Sequence, residues 1–344
     1  MNTSELESTM NTLTAKGKGI LAADESTGTI TKRFQTLNIE CTEDTRRAYR
    51  ETLMTTPDLG KFIAGVILYE ETLNQKTSKG MLFSEMLQKQ GILPGIKVDK
   101  GLVLLAGTQD EFVTQGLDSL PERLADYKSK GARFAKWRAV YAVSAQTPSS
   151  LLIHTNAEVL ARYAACCQKQ GIVPIVEPEV LIDGSHTLEQ CFEATEQVLN
   201  AVFHALYLHK VYLEGIVLKP SMVISGKSCS KKASTQQVAE ATVCVLRRTV
   251  PAAVPTINFL SGGQSSEEAT AHLNAMNLLH MSKPWNLSYS YARALQDNCM
   301  KTWHGEAKNI PAAQKALYKR AKLNSLATQG QYQTNMENEE VSCA

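Results

Sequence analysis

Short apolar runs recur along the chain, and each is followed by sequence of helical periodicity. Runs that read as strands fall at Gly19–Asp24, Phe62–Tyr69, Gly95–Asp99, Arg133–Arg138, Val173–Glu179, Gly215–Lys219, Thr256–Ser261 and Asn286–Ser290. Helical periodicity fills the gaps, for example over Thr42–Met54, Asn156–Lys169, Leu188–Leu208 and Thr235–Arg248. Strand and helix alternate every ~30–45 residues, the mark of parallel βα units. Eight such units predict one α/β domain, a (β/α)8 TIM barrel over residues 1–330. An open doubly wound sheet is the alternative, but no G-x-G-x-x-G follows the first strand. Near the end, Asn309 caps a helix with Pro311 in its first turn, and periodicity continues over Ala312–Ser325. After Gly330 the pattern stops, which predicts a flexible tail over 331–344.

The ends of the strands carry the chemistry. Strand one ends on Asp24 and the sixth on Lys219, while three others place Lys97 with Asp99, Lys136 with Arg138, and Glu177 with Glu179. Residues two apart in a strand share a face, so each pair points one way. Facing inward, they converge at the C-terminal mouth, where barrel active sites lie. A single charge ending a strand is ordinarily a solvated boundary. Charge recurring among Ile, Val, Phe and Trp is costly to bury unless it is paired, and lysines mixed with carboxylates supply the pairs. Two lysines that approach each other are expected to depress each other's pKa, freeing a neutral amine to attack a ketone. The resulting iminium draws electrons from an adjacent C–C bond. Glu177, Glu179 and Asp24 are at hand for the proton transfers.

Two segments suit phosphate. Ser261-Gly262-Gly263 follows strand seven and opens a helix, with Ser290 and Arg293 next door after strand eight. The other runs from Asp24 through Ser26 and Thr29 to Arg33, with Lys97 two strands away. A grip on each side of a lysine implies a substrate with a phosphate at each end.

Composition removes other classes. A net charge of +2 over 344 residues gives no electrostatic case for nucleic acid or a membrane surface. The apolar runs are too short to span a bilayer. None of the eight cysteines forms a C-x-x-C pair, and the seven histidines lack ligand spacing, so neither a metal nor another cofactor is expected. Free thiols and the lack of a signal segment point to the cytoplasm.

These residues resemble the class I fructose-bisphosphate aldolase family, over about Gly17 to Tyr332. The carrying segments are Gly-Ile-Leu-Ala-Ala-Asp-Glu-Ser-Thr-Gly at 19–28, Gly-Ile-Lys-Val-Asp-Lys-Gly at 95–101 and Phe-Ala-Lys-Trp-Arg at 134–138. Ile-Val-Pro-Ile-Val-Glu-Pro-Glu at 172–179, Leu-Lys-Pro at 218–220 and Phe-Leu-Ser-Gly-Gly-Gln-Ser at 259–265 complete the set. The resemblance implies a reversible, metal-independent cleavage of fructose 1,6-bisphosphate to two triose phosphates, in glycolysis and gluconeogenesis. By the same resemblance, Lys219 forms the Schiff base and Glu177 is acid and base in carbinolamine dehydration. Lys136 aids carbinolamine formation, Asp24 engages the C4 hydroxyl, and Glu179 and Arg138 orient the lysines. Ser261, Gly262, Gly263, Ser290 and Arg293 hold the C1 phosphate; Ser26, Thr29, Arg33 and Lys97 hold the other end, with Arg46 a further candidate. A homotetramer is implied as well. A protein-binding role beside catalysis is not legible. Two positions depart from the family: vertebrate members end in a tyrosine where this chain ends in Ala344, and Ala292 stands where they have glycine. Other lysine barrels, transaldolase-like or dependent on pyridoxal phosphate, are alternative enzymes, and a scaffold that lost its chemistry is the non-enzyme alternative.

Overall fold

The computed structural model describes residues 3–339. Eight parallel strands close a barrel: β1 (Gly19–Ala23), β2 (Ile63–Leu68), β3 (Leu93–Lys97), β4 (Phe134–Tyr141), β5 (Val173–Val180), β6 (Val217–Leu218), β7 (Thr256–Phe259) and β8 (Asn286–Tyr291). They follow one another around the barrel in chain order, and β8 pairs β1. All eight expected strands are present, with ends shifted by a few residues. The helices are α1 (Ser4–Leu13), α2 (Thr27–Gln35), α3 (Glu43–Met54), α4 (Glu70–Asn74), α5 (Phe83–Lys89), α6 (Leu120–Ser129), α7 (Ser150–Lys169), α8 (Leu188–Leu208), α9 (Thr235–Thr249), α10 (Ser266–Leu278), α11 (Arg293–Trp303) and α12 (Ile310–Ala327).

Local sequence fixes the helix starts. Side chains of Thr42, Thr187, Ser234 and Ser265 each accept from the N–H three residues on, and the residue there caps back. This capping box satisfies donors that the first turn would leave orphaned. Two packed cores result. The larger lies between the strands and the helical shell. The smaller fills the barrel with Ile20, Ala22, Phe134, Val173, Ile175 and Val217. Phe134 lies so close to Gly95 that a Cβ there would sit 2.2 Å from its ring, so β3 needs glycine at that level. Leu6, Met10 and Leu13 of α1 join this inner core. The N-terminal helix thus plugs the barrel floor, a role the sequence pattern does not disclose.

Two further features differ from expectation. A hairpin, Leu102–Leu104 with Phe112–Thr114, rises after β3 and exposes Leu102, Leu104 and Phe112. The described part of the C-terminal segment, 331–339, is docked where a loose tail is expected. Tyr332 is buried, its N–H donates to Asn274 Oδ1 at 3.0 Å and its hydroxyl to Glu337 Oε1 at 2.9 Å. Glu337 in turn pairs with the buried Arg320. Residues 340–344 lie outside the described residues.

Candidate active site

The strand ends bring their charges to one mouth. Alternation along β4 turns Lys136 inward while Trp137 faces outward onto Tyr163, 5.4 Å between rings. Register sets Lys136 beside Lys97 of β3, and Glu177 of β5 beside Arg138. Lys219 follows the last residue of β6, and its N–H donates to Val176 O at 2.8 Å, which fixes it next to Glu177.

At the centre Glu177 bridges two lysines. Its Oε1 lies 3.1 Å from Lys219 Nζ and its Oε2 3.2 Å from Lys136 Nζ. Asp24 Oδ2 lies 2.8 Å from Lys136 on the other side. All four side chains are buried. Burial alone would raise both carboxyls, but Lys136 and Lys219 together hold Asp24 and Glu177 below the usual carboxylate range. Burial likewise opposes charge on Lys136, yet Asp24, Glu177 and Asp99 raise its pKa well above the ordinary lysine value. The expected mutual depression of the two lysines therefore fails at Lys136. It faces two carboxylates at contact distance, and their attraction exceeds repulsion by another cation. Arg138 is raised too, against its desolvation, chiefly by Glu179, with which it pairs.

These groups line a cleft of about 230 Å³. Of the residues named from sequence, it gathers Asp24, Ser26, Thr29, Lys97, Lys136, Arg138, Glu177, Glu179, Lys219, Ser261, Gly262, Ser290 and Arg293. On the β7–β8 side, Gly262 and Gly263 take φ of +51° and +85°, which turns the chain as only glycine does readily. Gly263 itself is outside the lining, though a Cβ there would stand 3.7 Å from Arg293 Nη2. The Ser290 hydroxyl is buried and has no hydrogen-bond partner. On the β1 side, Ser26 caps α2 and shares a hydrogen bond with Thr29. Lys97 is tied to Asp99 Oδ1 at 2.6 Å.

Arg33 and Arg46 are not part of the lining. Arg33 pairs with Glu25 and with Asp297, and lines an adjoining cleft that shares Arg293. Arg46 is withdrawn altogether: its guanidinium grips Glu71 of α4. The sequence puts two arginines after β1 but cannot reveal that Asp297 on α11 pairs with Arg33 and Glu71 on α4 with Arg46. Glu25, Leu260 and Ala292 also line the cleft. Of these only Glu25 is charged, and its place beside Asp24 in the sequence is the signal that marks it. Among the described residues, no three His, Cys, Asp or Glu side chains are grouped to hold a metal ion.

A closed eight-stranded barrel with a lysine–carboxylate–lysine bridge buried in a cleft at its mouth has the architecture of a barrel enzyme with its site at the strand ends. The sequence model of class-I fructose-bisphosphate aldolases matches residues 5–343, and the chain belongs to that family. It is 57% identical over 316 residues to "Fructose-bisphosphate aldolase 4, cytosolic" of Arabidopsis thaliana, covering 92% of this chain and 80% of the relative. "Fructose-bisphosphate aldolase B" of Gallus gallus is 56% identical over 324 residues, covering 94% and 89%. A crystal structure of the Plasmodium falciparum aldolase, in complex with TRAP and a small-molecule inhibitor, superposes with a TM-score of 0.94 at 51% identity, covering 96% and 95%.

Proposed function

We infer that this protein is a carbon–carbon lyase that reversibly cleaves fructose 1,6-bisphosphate to dihydroxyacetone phosphate and glyceraldehyde 3-phosphate through a Schiff base on Lys219, in glycolysis and gluconeogenesis. The observation that carries this reading is Glu177 contacting both buried lysines, 3.1 Å from Lys219 and 3.2 Å from Lys136. Lys219 attacks the C2 ketone as a neutral amine. Glu177, within proton-transfer reach, takes the proton the amine loses and returns it to the departing C2 hydroxyl, so that water leaves and the iminium forms. The Lys136 ammonium protonates the oxyanion that precedes this carbinolamine, which supplies the C2 hydroxyl that leaves. Asp24, kept ionised by the lysines, takes the C4 hydroxyl proton. The electrons of the C3–C4 bond then move into the iminium, the aldehyde leaves, and an enamine remains. Protonation at C3 and hydrolysis free Lys219. Glu179 and Arg138 orient this set.

The C1 phosphate sits on Ser261, Gly262, Gly263, Ser290 and Arg293, and the far phosphate on Ser26, Thr29 and Lys97. Arg33 acts there only by leaving its two acids. The barrel through residue 330 is the catalytic unit, and the segment beyond is an appendage. The homotetramer rests on the family resemblance. A cytoplasmic setting agrees with the cytosolic relative and with the absence, among the described residues, of a helix long and apolar enough to cross a membrane.

The reading is tested by turnover of fructose 1,6-bisphosphate and fructose 1-phosphate with and without EDTA. Release of triose phosphate from the bisphosphate, unchanged by EDTA, is expected. Loss of all cleavage on chelation would contradict it.

A further inference from the structure

Glu25, Arg50 and Gln296 have no part in the steps above, yet they form a polar cluster against the Asp24 segment, with Arg50 and Gln296 buried and Glu25 at the edge of the cleft. Arg50 on α3 is 1% exposed. Its Nη2 donates to the Glu25 carbonyl at 2.8 Å and its Nη1 to Thr72 Oγ1 at 2.9 Å, and the guanidinium lies 3.6 Å from Glu25 Oε2. Gln296 on α11 is wholly buried. Its Nε2 donates to the Ala22 carbonyl at 2.5 Å, while its Oε1 accepts from the Tyr49 hydroxyl at 2.9 Å and from Arg33 Nη1 at 3.2 Å. Arg33 also holds the Glu25 carboxylate.

The peptide groups on either side of Asp24 are thus gripped from outside the barrel, two residues before it by Gln296 and one residue after it by Arg50. A buried arginine is tolerated only where its charge and donors are met, and here they are met by the chain that carries Asp24. Asp24 leaves the strand where ladder hydrogen bonds end, so β1 itself does not fix the direction of its carboxylate.

We propose that Arg50 and Gln296 are positioning residues that aim Asp24 at the C4 hydroxyl. The proposal rests on the reading of Asp24 as the base for cleavage. Dihydroxyacetone phosphate has no C4 hydroxyl, so forming its imine on Lys219 does not use Asp24 as a base and bears on it only through its contact with Lys136. The two half-reactions therefore separate a clamp on Asp24 from general damage to the mouth.

Arg50→Lys keeps the charge but loses the two-pronged grip. Cleavage of the bisphosphate should fall by roughly a hundredfold in kcat, the scale of a misplacement of about 1 Å. KM and the rate at which borohydride traps dihydroxyacetone phosphate should stay those of the parent. In an Asp24→Asn background, Arg50→Lys should bring no further loss. Gln296→Met is the second variant, with the same pattern expected, and serves if Arg50→Lys does not fold. Trapping that falls in parallel with cleavage would overturn the proposal, as would losses that multiply with Asp24→Asn. Unimpaired cleavage by Asp24→Asn alone would instead refute the reading of Asp24, and the clamp with it.

Discussion

The two anion grips of the mouth are built differently. On the β7–β8 side the groups stand free: the Ser290 hydroxyl is buried without a partner, Arg293 makes no ion pair among the described residues, and two glycines with positive φ expose backbone. On the β1–β3 side the groups already have partners. Lys97 holds Asp99, Arg33 holds Glu25 and Asp297, and Ser26 caps its own helix. A donor that must leave an internal partner gains only the difference between two interactions, whereas a free donor gains the whole of one. A count of hydroxyls and cations therefore does not measure a grip. The β7–β8 grip is preorganised and should carry most of the binding, while the β1–β3 grip must rearrange and adapts to what arrives.

The sharpest way to break this comparison is to remove one cation from each side. Arg293→Ala should weaken binding of a hexitol bisphosphate, which has no ketone to react, by roughly ten- to a hundredfold, since charge-assisted bonds contribute about 1.5–3 kcal/mol each. Lys97→Met should weaken it only severalfold, by about 1 kcal/mol, because the lysine must first leave Asp99. Asp99→Asn should tighten binding, by a smaller factor than Lys97→Met loosens it. Titration calorimetry of the three variants measures all of this. A larger loss for Lys97→Met than for Arg293→Ala would invert the comparison.

A smaller effect concerns the centre that the grips flank. Asp24 and Glu177 have lowered pKa values in the fold, so their contribution to stability is full above the ordinary carboxylate range, about pH 4.5, and is lost as pH falls through the folded values. Lys136 is raised, so its contribution is full below the ordinary lysine value and is lost only as pH rises through the folded one. Stability from this network should be flat from about pH 5 to 9. The gap between parent and Asp24→Asn in urea unfolding should narrow below pH 4. A gap that widens there would show that Asp24 is not ionised in the fold.

Barrel and centre were legible because two periodicities reinforce each other. Apolar runs marked β1 to β8, and alternation along β4 and β5 put Lys136 with Arg138 and Glu177 with Glu179 on shared faces. What escaped is set by partners distant in sequence. The pairing of Arg46 with Glu71 depends on how α3 meets α4, and that of Arg33 with Asp297 on how α2 meets α11. The same holds for α1, whose Leu6, Met10 and Leu13 acquire meaning only once a barrel floor exists to receive them. The raised pKa of Lys136 escaped because two lysines suggest repulsion until Asp24 and Glu177 are seen on either side.

The central claim is that Lys219, not Lys136, becomes covalently bound to substrate. It is tested most directly by adding borohydride with dihydroxyacetone phosphate and mapping the adduct by peptide mass spectrometry. The expected result is inactivation with one adduct, on the peptide holding Lys219, and none in Lys219→Ala. Lys219→Arg should also give none, because a guanidinium stays protonated. An adduct on Lys136 would contradict the division of roles between the two lysines, and no adduct from an active enzyme would contradict the Schiff base itself.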